Sequence, residues 1–320
     1  GETLEGTHLQ NASEVLHSLF ELCDANRADF SITLDYSAEN LKLLETNNIP
    51  NENRFLIVRE PKQVLPYPHT KKARRDFGSI FYLGTHDGTN SGATAWPYSR
   101  EFRSSASAFA SSTSRDRENK VVAIASWRVS FIRGSLYSLR AKSFSEFEID
   151  TFGRGWEAPP RKKIKEVLAQ IVISSGNEFG LARDLAPQIF YKPKNYKGSL
   201  ESKFQTLQKY KSTLIIENSL DYMSEKVLDA FSAATLPIYC GADLSYFDIP
   251  RDLYVSCAPD LKSVANAIGE AREIDYESWR ERVLSWMLTK NGLELFDEKL
   301  QWERVLKEVR IAMLARTGGN

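Results

Sequence analysis

The residues best equipped for chemistry lie together near the middle of the second half of the chain. Glu217-Asn218-Ser219-Leu220-Asp221-Tyr222-Met223-Ser224-Glu225-Lys226 follows the apolar run Leu214-Ile215-Ile216 and leads into Val227, Leu228, Phe231 and Ala234, spaced as one helix face. A buried strand, a short polar loop and a helix over Ser224 to Ala234 would bring the polar groups to one place, the strand's end and the helix's first turn. Free amides and a partial positive charge there suit an anion. Ser224 can accept an amide hydrogen bond as a cap, Lys226 suits a phosphate, and Glu225 can accept hydrogen bonds from ribose hydroxyls. The same residues also make a capped helix with an acid in its first turn and no ligand at all.

Other candidates are weaker. Gly153-Arg154-Gly155-Trp156-Glu157-Ala158 fits a loose dinucleotide fingerprint, but Pro159-Pro160 postpones the helix whose amides should meet a pyrophosphate. A tight turn after a strand is the better reading. Two basic runs, Lys71, Lys72, Arg74 and Arg75, then Arg161, Lys162, Lys163 and Lys165, read as solvated faces. The four histidines (His8, His17, His69, His86) lack zinc-protease spacing. No Asp-x-Asp pair is present to grip a metal nucleotide, and no Gly-x-Ser-x-Gly elbow occurs. Trp96, Trp127 and Trp156 could stack on sugars, though core or rim packing is the commoner use of tryptophan.

Positioning these groups requires alternating strands and helices. Strands are expected at Phe30 to Leu34, Phe55 to Val58, Ile80 to Leu83, Val121 to Ala125, Phe147 to Phe152, Thr213 to Ile216 and Pro237 to Cys240. Helices are expected at Ser13 to Leu22, Phe131 to Ala141, Lys162 to Ile173, Leu261 to Ala271, and from Tyr276 almost to the end with a break at Asn291-Gly292. In that last stretch Trp279, Val283, Trp286 and Met287 form one apolar face, and Phe296, Leu300, Val305, Val309 and Met313 a second. The serine-rich Ser104 to Ser114 and the charged Arg115 to Lys120 read as a linker. Two blocks of this kind argue for two α/β domains, with ligands beyond the carboxyl ends of the strands.

The chain has 320 residues, 42% hydrophobic and 26% charged, enough for two domains of roughly 150 residues each. Its 42 basic and 42 acidic side chains cancel, which removes the electrostatic case for a general nucleic-acid binder. No apolar run is long enough to span a membrane, and no secretory pattern opens the sequence. Cys23, Cys240 and Cys257 are odd in number and far apart, so neither a disulfide framework nor a zinc ribbon is expected. A reducing, cytoplasmic setting follows, with at most peripheral contact at the inner membrane face.

The block from Leu214 to Phe231, continued by Ala233-Ala234-Thr235-Leu236-Pro237-Ile238-Tyr239-Cys240-Gly241 and Phe247-Asp248-Ile249-Pro250, resembles the donor-binding signature of the α-1,3/1,4-fucosyltransferases, glycosyltransferase family 10, of bacterial type. Two shorter echoes lie upstream in order. Ala125-Ser126 through Ile132-Arg133 and Ile149-Asp150-Thr151-Phe152-Gly153-Arg154 look like the family's strand, arginine-bearing helix start and Asp-x-Tyr-Gly turn. Phe55-Leu56-Ile57-Val58-Arg59-Glu60-Pro61 looks like the strand-end segment carrying the family's catalytic glutamate. Coverage is good from about 118 to 290 and thin before that.

The resemblance implies an α/β chain in the GT-B arrangement, two Rossmann-like domains facing a cleft. The acceptor-side domain would be 1–115 and the donor-binding domain 116–299, with a helix at about 300–320 packing back on the first. It implies inverting transfer of fucose from GDP-fucose to a glycan hydroxyl, with no metal and no further cofactor. Carried over, Glu60 is the general base, Arg133 and Lys226 hold the diphosphate, Tyr222 and Glu225 contact the donor, and Asn218 shares their loop. Three departures stand out. The Ser219 to Tyr222 spacer is about two residues short, Ala234-Thr235-Leu236-Pro237 lacks a glycine that many members carry, and no strand precedes the first helix. The last suggests a piece of a longer multidomain chain or a trimmed acceptor domain. The short spacer keeps transfer of another deoxysugar, such as rhamnose, open. Loss of the base would instead leave a glycan- or nucleotide-binding module.

Overall fold

The computed structural model describes residues 10–85, 117–130, 132–165 and 186–316. Outside them lie Trp96, His8, His86, Phe131, the serine-rich segment and residues 166–173 of the helix expected after Lys162. The chain divides into two compact units, Gly1–Arg100 with Glu294–Asn320, and Glu101–Leu293.

In the first unit, strands β1 (Ser31–Leu34), β2 (Arg54–Val58) and β3 (Ser79–Tyr82) form a parallel sheet in that order. Helix Ala38–Thr46, capped by Ser37 accepting from the Asn40 amide at 3.0 Å, makes the first crossover. All of β2 is buried, because alternate residues serve two cores. Phe55 and Ile57 pack with Ala12, Val15, Leu83, Trp302, Val305, Leu306 and Val309, while Leu56 and Val58 pack with Leu44, Ile49 and Phe77. The helices Gln10–Leu19 and Glu298–Arg316, far apart in sequence, thus cover one face of one sheet.

The second unit holds six parallel strands in the order β6-β5-β4-β7-β8-β9. These are β4 (Glu118–Ile124), β5 (Ile149–Phe152), β6 (Asn195–Gly198), β7 (Tyr210–Ile216), β8 (Leu236–Cys240) and β9 (Val255–Ser256). Numbered within the unit, that is 3-2-1-4-5-6, the doubly wound dinucleotide-fold order. The order reverses between β4 and β7, so the crevice beyond their carboxyl ends is where such a sheet takes a ligand.

Several expectations need correction. The helix expected from Phe131 runs instead over Tyr137–Glu146, because Gly134 adopts a positive φ of 84° and keeps the chain in a turn. The charged run to Lys120 enters β4 from Glu118. The final helical region breaks before Lys290 and before Glu298, and Asn291-Gly292 lies inside helix Lys290–Phe296. Thr289 accepts from the Gly292 amide at 3.2 Å, and a Cβ at Gly292 would overlap the Trp286 carbonyl. That glycine permits close approach and does not end a helix. In Glu298–Arg316 the buried stripe is Trp302, Val305, Leu306 and Val309, whereas Leu300 is exposed.

Candidate functional site

The loop after β7 is built around a buried acid. Glu217 has no solvent exposure, and its Oε1 accepts the Ser224 amide at 2.9 Å and the Ser224 hydroxyl at 2.7 Å. Lys226 Nζ donates to Glu217 Oε2 at 3.2 Å and to Ser224 Oγ at 2.7 Å. The loop of chain from 217 to 226 is therefore closed on itself by one carboxylate, one hydroxyl and one ammonium. Gly241 makes this possible: a Cβ there would sit 2.7 Å from Glu217 Cγ and inside the Tyr239 hydroxyl.

Arg140 ties the loop to the neighbouring crossover. It is buried on helix Tyr137–Glu146, and its guanidinium donates to the Ile216 carbonyl at 3.1 Å and to Asn218 Oδ1 at 3.1 Å. The Leu136 amide donates to the Asn218 carbonyl at 3.1 Å. Asn218 is thus anchored through both its side chain and its backbone, at the point where the strand order reverses.

Of the sequence-derived residues, Asn218, Tyr222, Glu225 and Lys226 come together in this one loop, and all belong to the second unit. Tyr222 is buried, its carbonyl accepting from the Tyr239 hydroxyl at 3.2 Å and the Ala242 amide at 3.3 Å. Glu225 and Lys226 retain 25% and 24% side-chain exposure, enough to meet a ligand. Arg133 is exposed in the turn after β4, on the other side of the same reversal point. Glu60 belongs to the first unit. It is half-buried two residues beyond β2, and its carbonyl lies 3.4 Å from His69 Nε2. The Asp35 carboxylate stiffens that strand end, accepting the Arg59 amide at 2.9 Å and the Arg59 guanidinium at 2.5 Å.

The helix after the loop is shorter than expected. It spans Lys226–Ser232 with Glu225 at the cap position; the Ser224 hydroxyl, which donates to Glu217, accepts the Lys226 amide at a long 3.4 Å. Lys226 also does not stand alone as a cation. Burial opposes its charge, but Glu217 and Glu225 outweigh this and raise its pKa above the ordinary lysine value. For Glu225 burial is again the opposing influence, and Lys226 and Lys203 overcome it, holding its carboxyl down to about 2. At neutral pH the loop presents a fixed carboxylate beside a fixed ammonium, which can accept from hydroxyls and donate to phosphate oxygens.

The sequence marked Glu217 as part of the polar loop without a role, and gave no place to Arg140 and Lys203. A signal existed for the first: Arg140 occupies an apolar stripe with Tyr137, Ala141 and Phe144, where a charge must find partners. Lys203 lies in a polar segment with nothing to mark it. The tryptophans act as packing. Trp127 and Trp156 are buried, donate to the Gln188 and Ala125 carbonyls at 2.6 Å each, and flank Lys163. Lys163, at 1% exposure, is no solvated charge. Gly153 and Gly155, at φ 142° and 88°, form a turn in which a Cβ at Gly153 would overlap the Ala125 carbonyl. Among the described residues no group of three or more histidine, cysteine or acidic side chains is placed to hold a metal ion, and no helix is long and apolar enough to cross a membrane.

No protein-family model matches the chain, and no curated protein matches it either. Solved structures do. The UDP-forming trehalose-phosphate synthase of Burkholderia xenovorans superposes with a TM-score of 0.54 at 11% identity, covering 94% of this chain and 77% of that one. The corresponding synthase of Burkholderia vietnamiensis gives 0.52 at 12% identity over 97% and 76%. A structure described as an α1,3-fucosyltransferase covers 94% of this chain and 83% of its own at 14% identity, with a TM-score of 0.48, too loose to bear on the sugar transferred. The fold is accordingly that of the GT-B glycosyltransferases, two Rossmann-like α/β units in one chain.

Proposed function

We propose that this chain is a glycosyltransferase of inverting type that moves fucose from GDP-fucose to a hydroxyl of a glycan acceptor, in α-1,3 linkage. The observation that carries the reading is the Glu217 to Lys226 loop. It has the residue order of the fucosyltransferase donor signature, and it sits where β7 meets the reversal of the sheet. The second unit is the donor side in this reading and the first unit the acceptor side.

The chemistry asks little of the protein. Inversion is one displacement: the acceptor oxygen bonds to the anomeric carbon as the bond to the diphosphate breaks, and the acceptor proton leaves to a base. Glu60 takes that proton, a contribution of about 10² to 10⁴-fold. Lys226 and Arg133 meet the charge that develops on GDP as the bond to the sugar breaks. Glu225 and Tyr222 hold the nucleoside end, and Asn218, locked by Arg140, keeps the loop in shape for them. This division of roles calls for neither a metal nor a cofactor, and its only partners are the nucleotide sugar and the glycan.

Calorimetric titration with GDP and GDP-fucose, with and without EDTA, tests the proposal. Binding is expected in both buffers. Lys226→Met and Arg133→Ala should each weaken it about 10- to 100-fold, the worth of a charge-assisted hydrogen bond. Because Lys226 also neutralises buried Glu217, its variant is compared with Lys226→Met/Glu217→Gln, which removes both charges together. Glu60→Gln should keep the affinity and lose transfer. The spacer, two residues short, favours testing GDP-rhamnose beside GDP-fucose; tighter binding of the former would replace fucose and keep the class.

A further inference from the structure

The donor reading uses Glu225 but gives no part to the two charges behind it, Lys203 and Asp229. Lys203, on the short helix Lys203–Leu207, donates to Glu225 Oε1 at 3.2 Å and to Asp229 Oδ2 at 2.5 Å. The Asp229 amide donates to the Glu225 carbonyl at 2.9 Å, so the two acids stand one helical turn apart and Lys203 spans them. Asp229 has no exposure, and its Oδ1 finds no hydrogen-bond partner.

As a stabilising device this is poor. A buried ion pair is often matched or bettered by apolar side chains of the same volume, and an unpartnered carboxylate oxygen adds a cost. What the cluster does supply is a fixed point. Asp229, held by the core, fixes the Lys203 ammonium, and the ammonium fixes Glu225, the acid of the cluster that reaches solvent at the loop. We propose that Lys203, anchored by Asp229, is a positioning residue that holds the Glu225 carboxylate in the orientation it offers to the ribose of the donor nucleotide; this rests on the nucleotide-sugar reading above.

The electrostatics agree. The charges facing Glu225 are Lys226 and Lys203, and those facing Asp229 are Lys203, Glu225 and Lys226; Glu217 and Arg140 act in turn on Lys226. Burial and the neighbouring Glu225 push the Asp229 carboxyl up to about 7 against the pull of Lys203, while Glu225 stays near 2. Near neutral pH a shared proton therefore goes to Asp229, and Glu225 remains a full acceptor.

Lys203→Met alone would strand a buried carboxylate and can fail to fold. The test therefore compares Asp229→Asn, whose amide oxygen can still accept from Lys203 and so keeps the anchor without its charge, with Lys203→Met/Asp229→Asn, which removes the hold and the buried charge together. GDP affinity of Asp229→Asn should stay within about threefold of the unaltered protein. That of the double variant should fall about tenfold or more, the range of a lost charge-assisted contact, and Lys203→Arg/Asp229→Asn should recover most of it. Equal affinity in the single Asp229→Asn variant and the Lys203→Met/Asp229→Asn double variant overturns the positioning role while leaving nucleotide binding intact. Carboxyl-carbon NMR titration of Glu225 gives a readout without any ligand. Its midpoint should rise toward the ordinary carboxylate range only in the double variant, and an unmoved midpoint overturns the inference. Absence of GDP binding in the unaltered protein, with the Glu225 midpoint shifting as expected, would instead remove the donor reading.

Discussion

Glu217, Glu225 and Asp229 are acids of one short stretch of loop and helix, and each is set by a different surrounding. Glu217 is buried and matched by Lys226, so Glu217→Ala, which leaves that ammonium without its counter-charge, should lower unfolding free energy by about 3–5 kcal/mol. Asp229 behaves in the opposite sense to most acids. Its folded pKa, about 7, lies above the unfolded 3.8, so the native state binds the extra proton between those values. The stability from this group is complete below its unfolded value and disappears as pH rises through its folded one. Glu225, with its folded value near 2, contributes stability above its unfolded 4.5 that is lost only as pH falls toward 2, outside that window. Between about pH 5 and 8, urea unfolding should therefore show Asp229→Asn gaining on the unaltered protein as pH rises. A flat difference would mean that Asp229 titrates normally.

At the scale of elements, the turns decide more than the strands. Ala234 sits at φ 50° after helix Lys226–Ser232, in the left-handed region that favours glycine. An alanine there costs about 1–2 kcal/mol, and a glycine would add back unfolded-state entropy of about 0.4–1 kcal/mol. Ala234 is also fully buried, so a glycine there loses a core methyl worth about 0.8 kcal/mol, and Ala234→Gly should leave the unfolding free energy within about 1 kcal/mol of the unaltered protein, readable from the thermal midpoint. Gly241→Ala should lower it by about 1–3 kcal/mol, because its Cβ meets Glu217 and Tyr239. Strands were legible in the sequence wherever an apolar run met a breaker, as at β2, β7 and β8. β6, with the polar sequence Asn195-Tyr196-Lys197-Gly198, was not, because it is a sheet-edge strand with little buried surface. The loop residues of the candidate site were legible because their types are unusual together. Lys203 was not, and for Arg140 the sequence marked only a charge in an apolar stripe, because the contacts that define them span 22–26 and 76 residues. Cysteine chemistry follows the same logic of placement. Cys23 is exposed, whereas Cys240, the last residue of β8, and Cys257, just beyond β9, are buried against each other. A chromogenic disulfide reagent should titrate one thiol in the native protein and three in denaturant.

At the scale of the molecule, the two units differ in how the chain supplies them. The second is drawn from one continuous segment, Glu101–Leu293, and its 3-2-1-4-5-6 sheet needs nothing from elsewhere to close. The first takes Trp302, Val305, Leu306 and Val309 from the far end of the sequence to cover Phe55 and Ile57. Truncation before Glu298 should therefore strip the first unit's sheet on one face and leave the second unit's unfolding transition in place. Two transitions becoming one in a denaturant profile would report this.

The discontinuous first unit also fixes an order of events during synthesis. At about 5–20 residues per second, the ribosome finishes β1, β2 and β3 well before the helix that shields them exists. Through that interval Phe55 and Ile57 have Ala12 and Val15 beside them but lack Trp302, Val305, Leu306 and Val309, which complete their cover. The segment carrying β1 to β3 is thus the part that most needs a chaperone, and helix Glu298–Arg316 is the element that ends the need.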